Sequence, residues 1–428
     1  MKFTKVTIEG FKNIKEIEIN FEQLTALVAV NNYGKSNALQ AIDFGFIFLQ
    51  SGLVHRKRMI SYQGVPENED FYGKCYRFSI QGTYDNNYYK TFRYSFGFDW
   101  ISKKINFEKL EFLNENANNQ FKTLIERNKN NNYSYMSKID GSNKRRAQID
   151  EGELLIDKIR EDEVDYYDVI KFIKSSKYRY CKEIDVTQGY NDIPLIAFDD
   201  DFLLQTPKKL ALLKKRDPER YSDFLFILRQ LFPDVVDIIT QIIPLDIDEV
   251  TKEQLLQIRN KVKHINRNKF IIEENQYVLR IKVRKLVNPL NINQMSNGFK
   301  RVVWLLLNIL EANQNNIKIL AIEELETGIH QKLLRNLLEK IYDWIDNDLI
   351  LLISTHSAEL VSYLNRGQIV IGVPNENMEA KFIQLSEKSY KIISRDAQVN
   401  KLEKANYIFE LINNYEDPVL LLEYLGVK

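Results

Sequence analysis

Residues 27–42 read Leu-Val-Ala-Val-Asn-Asn-Tyr-Gly-Lys-Ser-Asn-Ala-Leu-Gln-Ala-Ile, and this stretch restricts the fold more than any other. The apolar run through Val28 and Val30 has the character of a buried strand. A polar turn with Gly34, Lys35 and Ser36 follows, and Leu39, Ile42 and Phe46 then recur at helical spacing. Strand, glycine turn, helix is the setting of a phosphate-binding loop, because main-chain N–H groups and the positive end of a helix converge there. In such a loop Lys35 reaches the β- and γ-phosphates, and the Ser36 hydroxyl ligates Mg2+. The pattern wants glycine five residues before Gly34, where this chain has Ala29. Alanine resists positive φ, so the turn must begin in a conformation alanine tolerates. Taken alone, the stretch also fits a strand–turn–helix that holds no ligand.

Composition excludes several classes. A chain of 428 residues holds core for two or three domains. With 44% hydrophobic and 28% charged residues it has a soluble balance, and a net charge of +1 gives no global basic field for nucleic acid. Cys75 and Cys181 are the only cysteines and lie far apart, which fits a reducing compartment and neither a disulfide scaffold nor a zinc site. No apolar run approaches the roughly 20 residues that span a bilayer. The alternating N-terminus lacks the apolar core of a signal peptide. The expectation is a cytoplasmic protein.

Along the chain, strands are expected over 3–8, 14–21 and 25–30, a helix over 37–52, and an antiparallel meander over 75–113 with a turn at Asp85 to Asn87. Residues 114–150 are Asn-rich and then basic, and read as a loop-rich insertion. Helical patterns follow over 151–178, 201–231 (broken at Asp217-Pro218) and 249–264, with a short strand at 194–198. From 277 the pattern alternates: strand 277–283, helix 298–311, strand 317–322, helix 331–344, strand 349–354. That alternation indicates a mostly parallel sheet with helical cover. The expected organisation is an N-terminal lobe 1–106, an insertion 107–276 with an Asn-rich loop and a helical subdomain, a C-terminal lobe 277–397 and a terminal helical segment 398–428.

Three further motifs carry chemistry. The strand 317–322 ends in Glu323-Glu324, where one acid can hold Mg2+ and the next can polarise a water; it also fits a strand running into an exposed acidic loop. The strand 349–354 ends in Thr355-His356, placing one of only four histidines where a γ-phosphate contact is possible, although a capping or core histidine fits as well. Ser296-Asn297-Gly298 precedes a helix whose N-terminus can bind an anion, or is an ordinary cap beside a basic turn.

In this order the four motifs resemble the ABC-type ATPase heads of the SMC/RecF/OLD group (OLD, overcoming lysogenization defect). Asn31-Asn32-Tyr33-Gly34-Lys35-Ser36-Asn37 resembles their Walker A, and Gln294 to Gly298 with Lys300-Arg301 their signature motif. Glu323 to His330 is similar to their Walker B and D-loop, and Ser354 to Ser357 to their His switch. Ile8 to Ile14 resembles the opening of these heads, with Lys12 near the nucleotide. The resemblance covers roughly residues 1–110 and 230–395. It implies an α/β fold: a mixed sheet with a phosphate-loop core, an antiparallel β-subdomain and a mainly helical insertion. It also implies ATP and Mg2+ as cofactors, with Ser36 and Glu323 on the metal. Glu324 and His356 would be catalytic, and Lys12, Asn31, Asn32, Gly34, Lys35, Ser36 and Asn37 would bind nucleotide. Ser296 and Gly298 would act on the nucleotide of a second copy in a head-to-head, ATP-dependent dimer.

The chain departs from the pattern at Ala29, at Glu323 in place of Asp, and at Leu325 in place of Pro. None removes a charge or donor that phosphate needs, so ATP binding with slow hydrolysis is expected. Gln81 is a candidate for the Q-loop glutamine. Pro418 to Glu423 faintly echoes the first strand of the TOPRIM nuclease that follows many OLD-type heads, and an effector supplied by another polypeptide is expected. The whole then resembles stand-alone ATPase subunits of anti-phage and abortive-infection systems (PARIS, Septu, AbiL-like), which pair with a separate nuclease or toxin, answer to a phage trigger and need no membrane. A RecF/SMC-like repair ATPase that binds duplex DNA is the alternative; the basic run from Arg259 to Lys269 suits phosphate contacts or a solvated helix face. A transport ATPase fits least, because those carry Leu-Ser-Gly-Gly-Gln-type signatures and a membrane partner.

Overall fold

Alternation builds the first sheet. Ile14, Ile17 and Ile19 of β2 (Ile14–Asn20) are buried while Glu16 and Glu18 between them face water, and β1 (Phe3–Phe11) buries Phe3, Val6 and Ile8 on the same side. The two pair antiparallel, with Phe11 opposite Ile14, so Lys12 and Asn13 form a two-residue connection. The structure, a computed structural model, describes residues 1–428 except 32, 62–74, 85–88, 115–119, 128–132, 183–195, 199–201, 246–250, 252, 255, 258–269, 273–274, 374–378, 414–421, 423 and 426–428. The turn expected at 85–87, the basic run 259–269 and most of the helix expected over 249–264 therefore lie outside the described residues.

The first sheet has eight antiparallel strands. In spatial order they are β2, β1, β4 (Cys75–Thr83), β5 (Thr91–Asp99), β6 (Lys104–Asn114), β7 (Gln120–Arg127), β8 (Tyr133–Met136) and β9 (Arg145–Gln148). The last three occupy a stretch that reads as loop. Their alternation is hidden because Leu124 and Ile125 are both buried; the pairing slips between Leu110 and Glu111, so that Thr123 and Ile125 have partners and Leu124 is the extra residue of a bulge.

The second sheet runs β10 (Lys177–Cys181), β16 (Ile317–Glu323), β17 (Ile350–Thr355), β3 (Leu24–Val28), β18 (Ile369–Val373), β19 (Lys381–Gln384). Only the β18–β19 pair is antiparallel. Every residue of β3 and β17 is buried, as in a parallel strand covered on both faces. Glu323 lies opposite Ser354, and Thr355 opposite Val28, so the segments after β16, β17 and β3 leave the sheet at one edge. Helix α1 (Lys35–Gln50) follows β3. Its Phe48 stacks on Phe96 of β5 at 5.0 Å, its Phe46 stacks on Tyr178 of β10 at 5.6 Å, and the Tyr178 hydroxyl donates to Leu39 O at 2.9 Å, so α1 touches both sheets. The buried Arg56 guanidinium donates to Phe48 O and Leu49 O, each at 2.8 Å, satisfying carbonyls at the helix end, and pairs with Asp157.

The chain divides into two compact units. Residues 1–182, 312–325 and 346–428 form the first, which holds both sheets; residues 183–311 and 326–345 form the second. In the second, the helices Phe202–Arg216 and Pro218–Leu231 break where the sequence places the break: Asp217 accepts from Arg220 N at 3.2 Å and Pro218 opens the next helix. β11 (Ile196–Phe198) pairs with β13 (Phe270–Ile272), and β12 (Val235–Pro244) with β14 (Asn275–Val283) and β15 (Leu290–Asn291). The helix Asn297–Gln314 lies in this unit up to Glu311, as does the helix Gln331–Trp344. The α/β class, with a phosphate-loop-bearing mixed sheet and a separate antiparallel sheet, is the expected one. Among the described residues no helix is long and apolar enough to cross a membrane.

Candidate nucleotide site

The loop after β3 is shaped by close packing. Gly34 sits at φ 114°, and a Cβ there would lie 2.7 Å from Ala380 Cβ and 3.1 Å from the Asn13 amide, so glycine is required on conformational and steric grounds alike. α1 starts from Gly34, so the cap residue has no side chain to compete for the first-turn N–H groups, which at a helix start can bind an anion. Ala29 is fully buried with a negative φ, the conformation that alanine tolerates.

Lys35 is buried, and its ammonium donates to Ala29 O at 2.9 Å and Val30 O at 3.1 Å. It also lies 2.6 Å from His356 Nε2. Burial, then the Lys35 charge, pull the His356 pKa below the usual histidine value, with Glu324 opposing. An ammonium only donates, so the Lys35 contact is a hydrogen bond where Nε2 carries no proton. Glu324 Oε1 stands 3.3 Å from the same nitrogen, a contact that becomes an ion pair only when the ring is protonated. Glu324 is a non-glycine residue at φ 45°, held there by its N–H donating to Ser354 O at 3.0 Å and Ser354 Oγ at 3.3 Å. The three side chains come from β3–α1, β16 and β17, which the sheet register brings together.

A second network flanks the loop. Lys12, at φ 48° in the β1–β2 connection, donates to Gln40 Oε1 at 2.6 Å and Asn37 Oδ1 at 3.2 Å, and Asn37 Nδ2 donates to Asn13 Oδ1 at 2.8 Å. The Tyr180 hydroxyl donates to Glu323 Oε1 at 2.5 Å, and the Gln40 amide is among the groups that act on it. Burial and that bond push the Tyr180 pKa far above its ordinary value, so the hydroxyl keeps its proton at neutral pH. Sequence reasoning missed Asn13, Gln40 and Tyr180. Gln40 was accessible as the residue three beyond Asn37 on one helix face, and Asn13 as the neighbour of Lys12. Tyr180 has no local signal, since its place depends on β10 pairing with β16.

The other expected residues are placed as follows. Asn31 and Ser36 are exposed, and Asn32 lies outside the described residues. Ser296 and Gly298 belong to the second unit, where Ser296 Oγ accepts from Phe299 N at 3.2 Å. That bond occupies one helix-start N–H that an anion would otherwise use. Gln81 lies in β4, where its carbonyl accepts from Thr4 Oγ1 at 3.4 Å.

The donor set of the first unit suits a Mg2+-nucleotide: a helix start with glycine at its cap, a buried ammonium, the exposed Ser36 hydroxyl, and two carboxylates at the end of β16, which β17 separates from β3. The chain matches the AAA ATPase domain family over residues 1–361. It belongs to that family. This AAA ATPase is therefore an enzyme of nucleotide-binding type. No curated protein gives a significant match. Among solved structures it is similar to an Smc head bound to the C-terminal winged-helix domain of ScpA, at 13% identity and TM-score 0.49, covering 90% of this chain and 99% of that one. It is also similar to the Smc head with an extended coiled coil bound to the C-terminal domain of ScpA from Pyrococcus furiosus, at 14% identity and TM-score 0.40, covering 92% and 99%. A third is the SMC head domain from Thermotoga maritima, at 11% identity and TM-score 0.40, covering 90% and 100%.

Proposed function

We propose that this ATPase is an ABC-type, nucleotide-gated switch: the sensor and scaffold subunit of an anti-phage defence system, controlling a separate nuclease or toxin. The observation that supports a switch is the direct contact of Lys35 with His356 and of His356 with Glu324. Lys35 reaches a γ-phosphate only by loosening contacts such as those with Ala29 O, Val30 O and His356, so occupancy of the phosphate loop is felt at His356 and at the catalytic acid. The defence role rests on the resemblance in motif order. Slow hydrolysis fits the departures at Ala29 and Glu323.

In this reading Ser36 and Glu323 hold Mg2+, which when bound neutralises charge on the β- and γ-phosphates. Gly34, Lys35 and the first turn of α1 bind the phosphates, flanked by Asn31, Asn32, Asn37 and Lys12. Glu324 takes the proton of the attacking water, and His356 contacts the γ-phosphate. Ser296 and Gly298 cap the nucleotide of a second copy, completing a head-to-head dimer. The test is Glu324→Gln: it should keep ATP affinity within about threefold, lower turnover at least a hundredfold and accumulate an ATP-bound oligomer by size-exclusion chromatography with light scattering. Turnover equal to wild type sinks the catalytic assignment. Co-purification with products of neighbouring genes, with and without ATP, tests the effector; if neither a companion protein nor phage infection changes the protein's behaviour, the defence role fails.

The basic run from Arg259 to Lys269, with five Lys or Arg and no acid, favours a second reading, a repair ATPase that binds duplex DNA. Salt-sensitive, ATP-dependent duplex binding by the isolated protein would select it.

A further inference from the structure

Glu323 carries one more methylene than the aspartate of the pattern it resembles, hence one more rotatable bond between the strand and its carboxylate. Mg2+ demands near-ideal octahedral geometry, so a floppier ligand is a weaker one. The structure contains a feature that restrains this bond. Tyr180 Oη donates to Glu323 Oε1 at 2.5 Å from β10, the strand hydrogen-bonded to β16, with Tyr180 opposite Ala321. Glu323 itself is only 9% exposed, so its carboxylate has little water to turn into.

The hydroxyl is oriented as well. Gln40 Oε1 receives Lys12 Nζ at 2.6 Å, which leaves the Gln40 amide its N–H₂ to give. The Tyr180 hydroxyl has a single hydrogen, and Glu323 takes it. Lys12 thus holds Gln40, and Tyr180 gives its one hydrogen to Glu323. Gln40 is fixed on α1, one turn from the phosphate loop.

We infer that Tyr180 is a positioning residue for the metal-ligating carboxylate: by holding Oε1 of Glu323 it sets the plane of the carboxyl group and offsets the freedom of the longer side chain. This rests on the reading above in which Glu323 holds Mg2+. Outer partners of metal ligands commonly govern metal affinity by tenfold to a hundredfold.

The test is the Mg2+ dependence of nucleotide binding, read with a fluorescent ATP analogue in the full chain, so that turnover plays no part. Tyr180→Phe keeps the ring and its packing. It should raise the Mg2+ concentration for half-maximal tight binding about tenfold, with analogue affinity in EDTA and the melting temperature unchanged. In a Glu323→Asp background, where the shorter carboxylate no longer reaches the hydroxyl, Tyr180→Phe should have no further effect. A shift under twofold in Tyr180→Phe, or an equal loss in EDTA, overturns the positioning role while leaving Glu323 as a ligand if Glu323→Gln still shifts the Mg2+ dependence. If Glu323→Gln shifts nothing, the metal reading and this inference fall together.

Discussion

Ala29 is explained by what faces it. A Cβ built on Gly372 of β18 would stand 2.5 Å from the Ala29 Cβ and 2.8 Å from Tyr33 Cδ1, so this glycine makes room for the alanine of the phosphate loop. Gly372 does not have a positive φ, so Gly372→Ala tests packing alone. Tyr33 has little freedom to yield: its hydroxyl donates to Glu379 O at 3.1 Å and accepts from Lys381 N at 3.3 Å, and its ring packs on Phe382 at 6.0 Å. Overpacking of this kind costs about 2 kcal/mol. Ala29→Gly alone removes a buried methyl, about 0.8 kcal/mol, and loosens the backbone by roughly 0.7 kcal/mol. If the sites were independent, the double variant would lose their sum. Because Ala29→Gly abolishes the 2.5 Å approach, the double variant should instead be about 1 kcal/mol more stable than additive, with the Tyr33 crowding left over. Urea denaturation of the four proteins measures the coupling, and ATP affinity should follow it, falling in Gly372→Ala and partly recovering in the double variant. Additivity within about 0.5 kcal/mol would refute the account.

Lys35→Met should weaken ATP binding by roughly a hundredfold, the loss of a charge-assisted contact. It should also raise the His356 pKa, since the Lys35 charge is one of the two causes holding it down; an unshifted imidazole NMR titration would disprove the coupling. Glu108 is fully buried, accepts from Leu155 N at 2.6 Å, Ile156 N at 3.1 Å and Tyr94 Oη at 3.0 Å, and still has its pKa raised, chiefly by burial. A raised folded-state value means its contribution to stability is complete below the unfolded glutamate pKa, about 4.3, and is lost as pH rises through the folded value. The stability difference between wild type and Glu108→Gln should therefore shift against wild type as pH rises above about 4, which denaturation midpoints at several pH values would show; parallel curves would exclude it.

What was legible in the sequence follows from where each signal resides. β3, β16 and β17 are mostly apolar runs because both faces are covered, and each ends beside residues to which the proposed reading gives chemistry, so the strands and the places of Lys35, Glu323, Glu324 and His356 could be read locally. The helical hairpin was legible because Asp217-Pro218 is both cap and breaker. β7 was not, because the bulge at Leu124 destroys the period of two. β18 is five residues with a glycine whose reason is Ala29, more than 340 positions away in sequence. Tyr180 meets Glu323 through a parallel pairing between distant segments, and no window of sequence around either residue contains the other.

Lys12 and Glu324 share a property that bears on how the site works. Each is a non-glycine residue in the left-handed region, at φ 48° and 45°, a conformation that costs about 1 kcal/mol or more. Such residues persist only where their surroundings leave no alternative. For Lys12 the surroundings are a two-residue strand connection and an ammonium fastened to Asn37 and Gln40; for Glu324 they are an N–H bonded to Ser354 and a neighbouring strand in fixed register. Neither restraint involves a nucleotide. The backbone that presents both side chains is thus held by the protein's own groups, and on the proposed reading the element that must change partners is Lys35, whose ammonium contacts two carbonyls and an imidazole. A site with the backbone of its acid held, a fastened cation and one exchangeable lysine is suited to reporting occupancy. That is also why Ala29, which leaves every phosphate-binding group in place, is compatible with a switch.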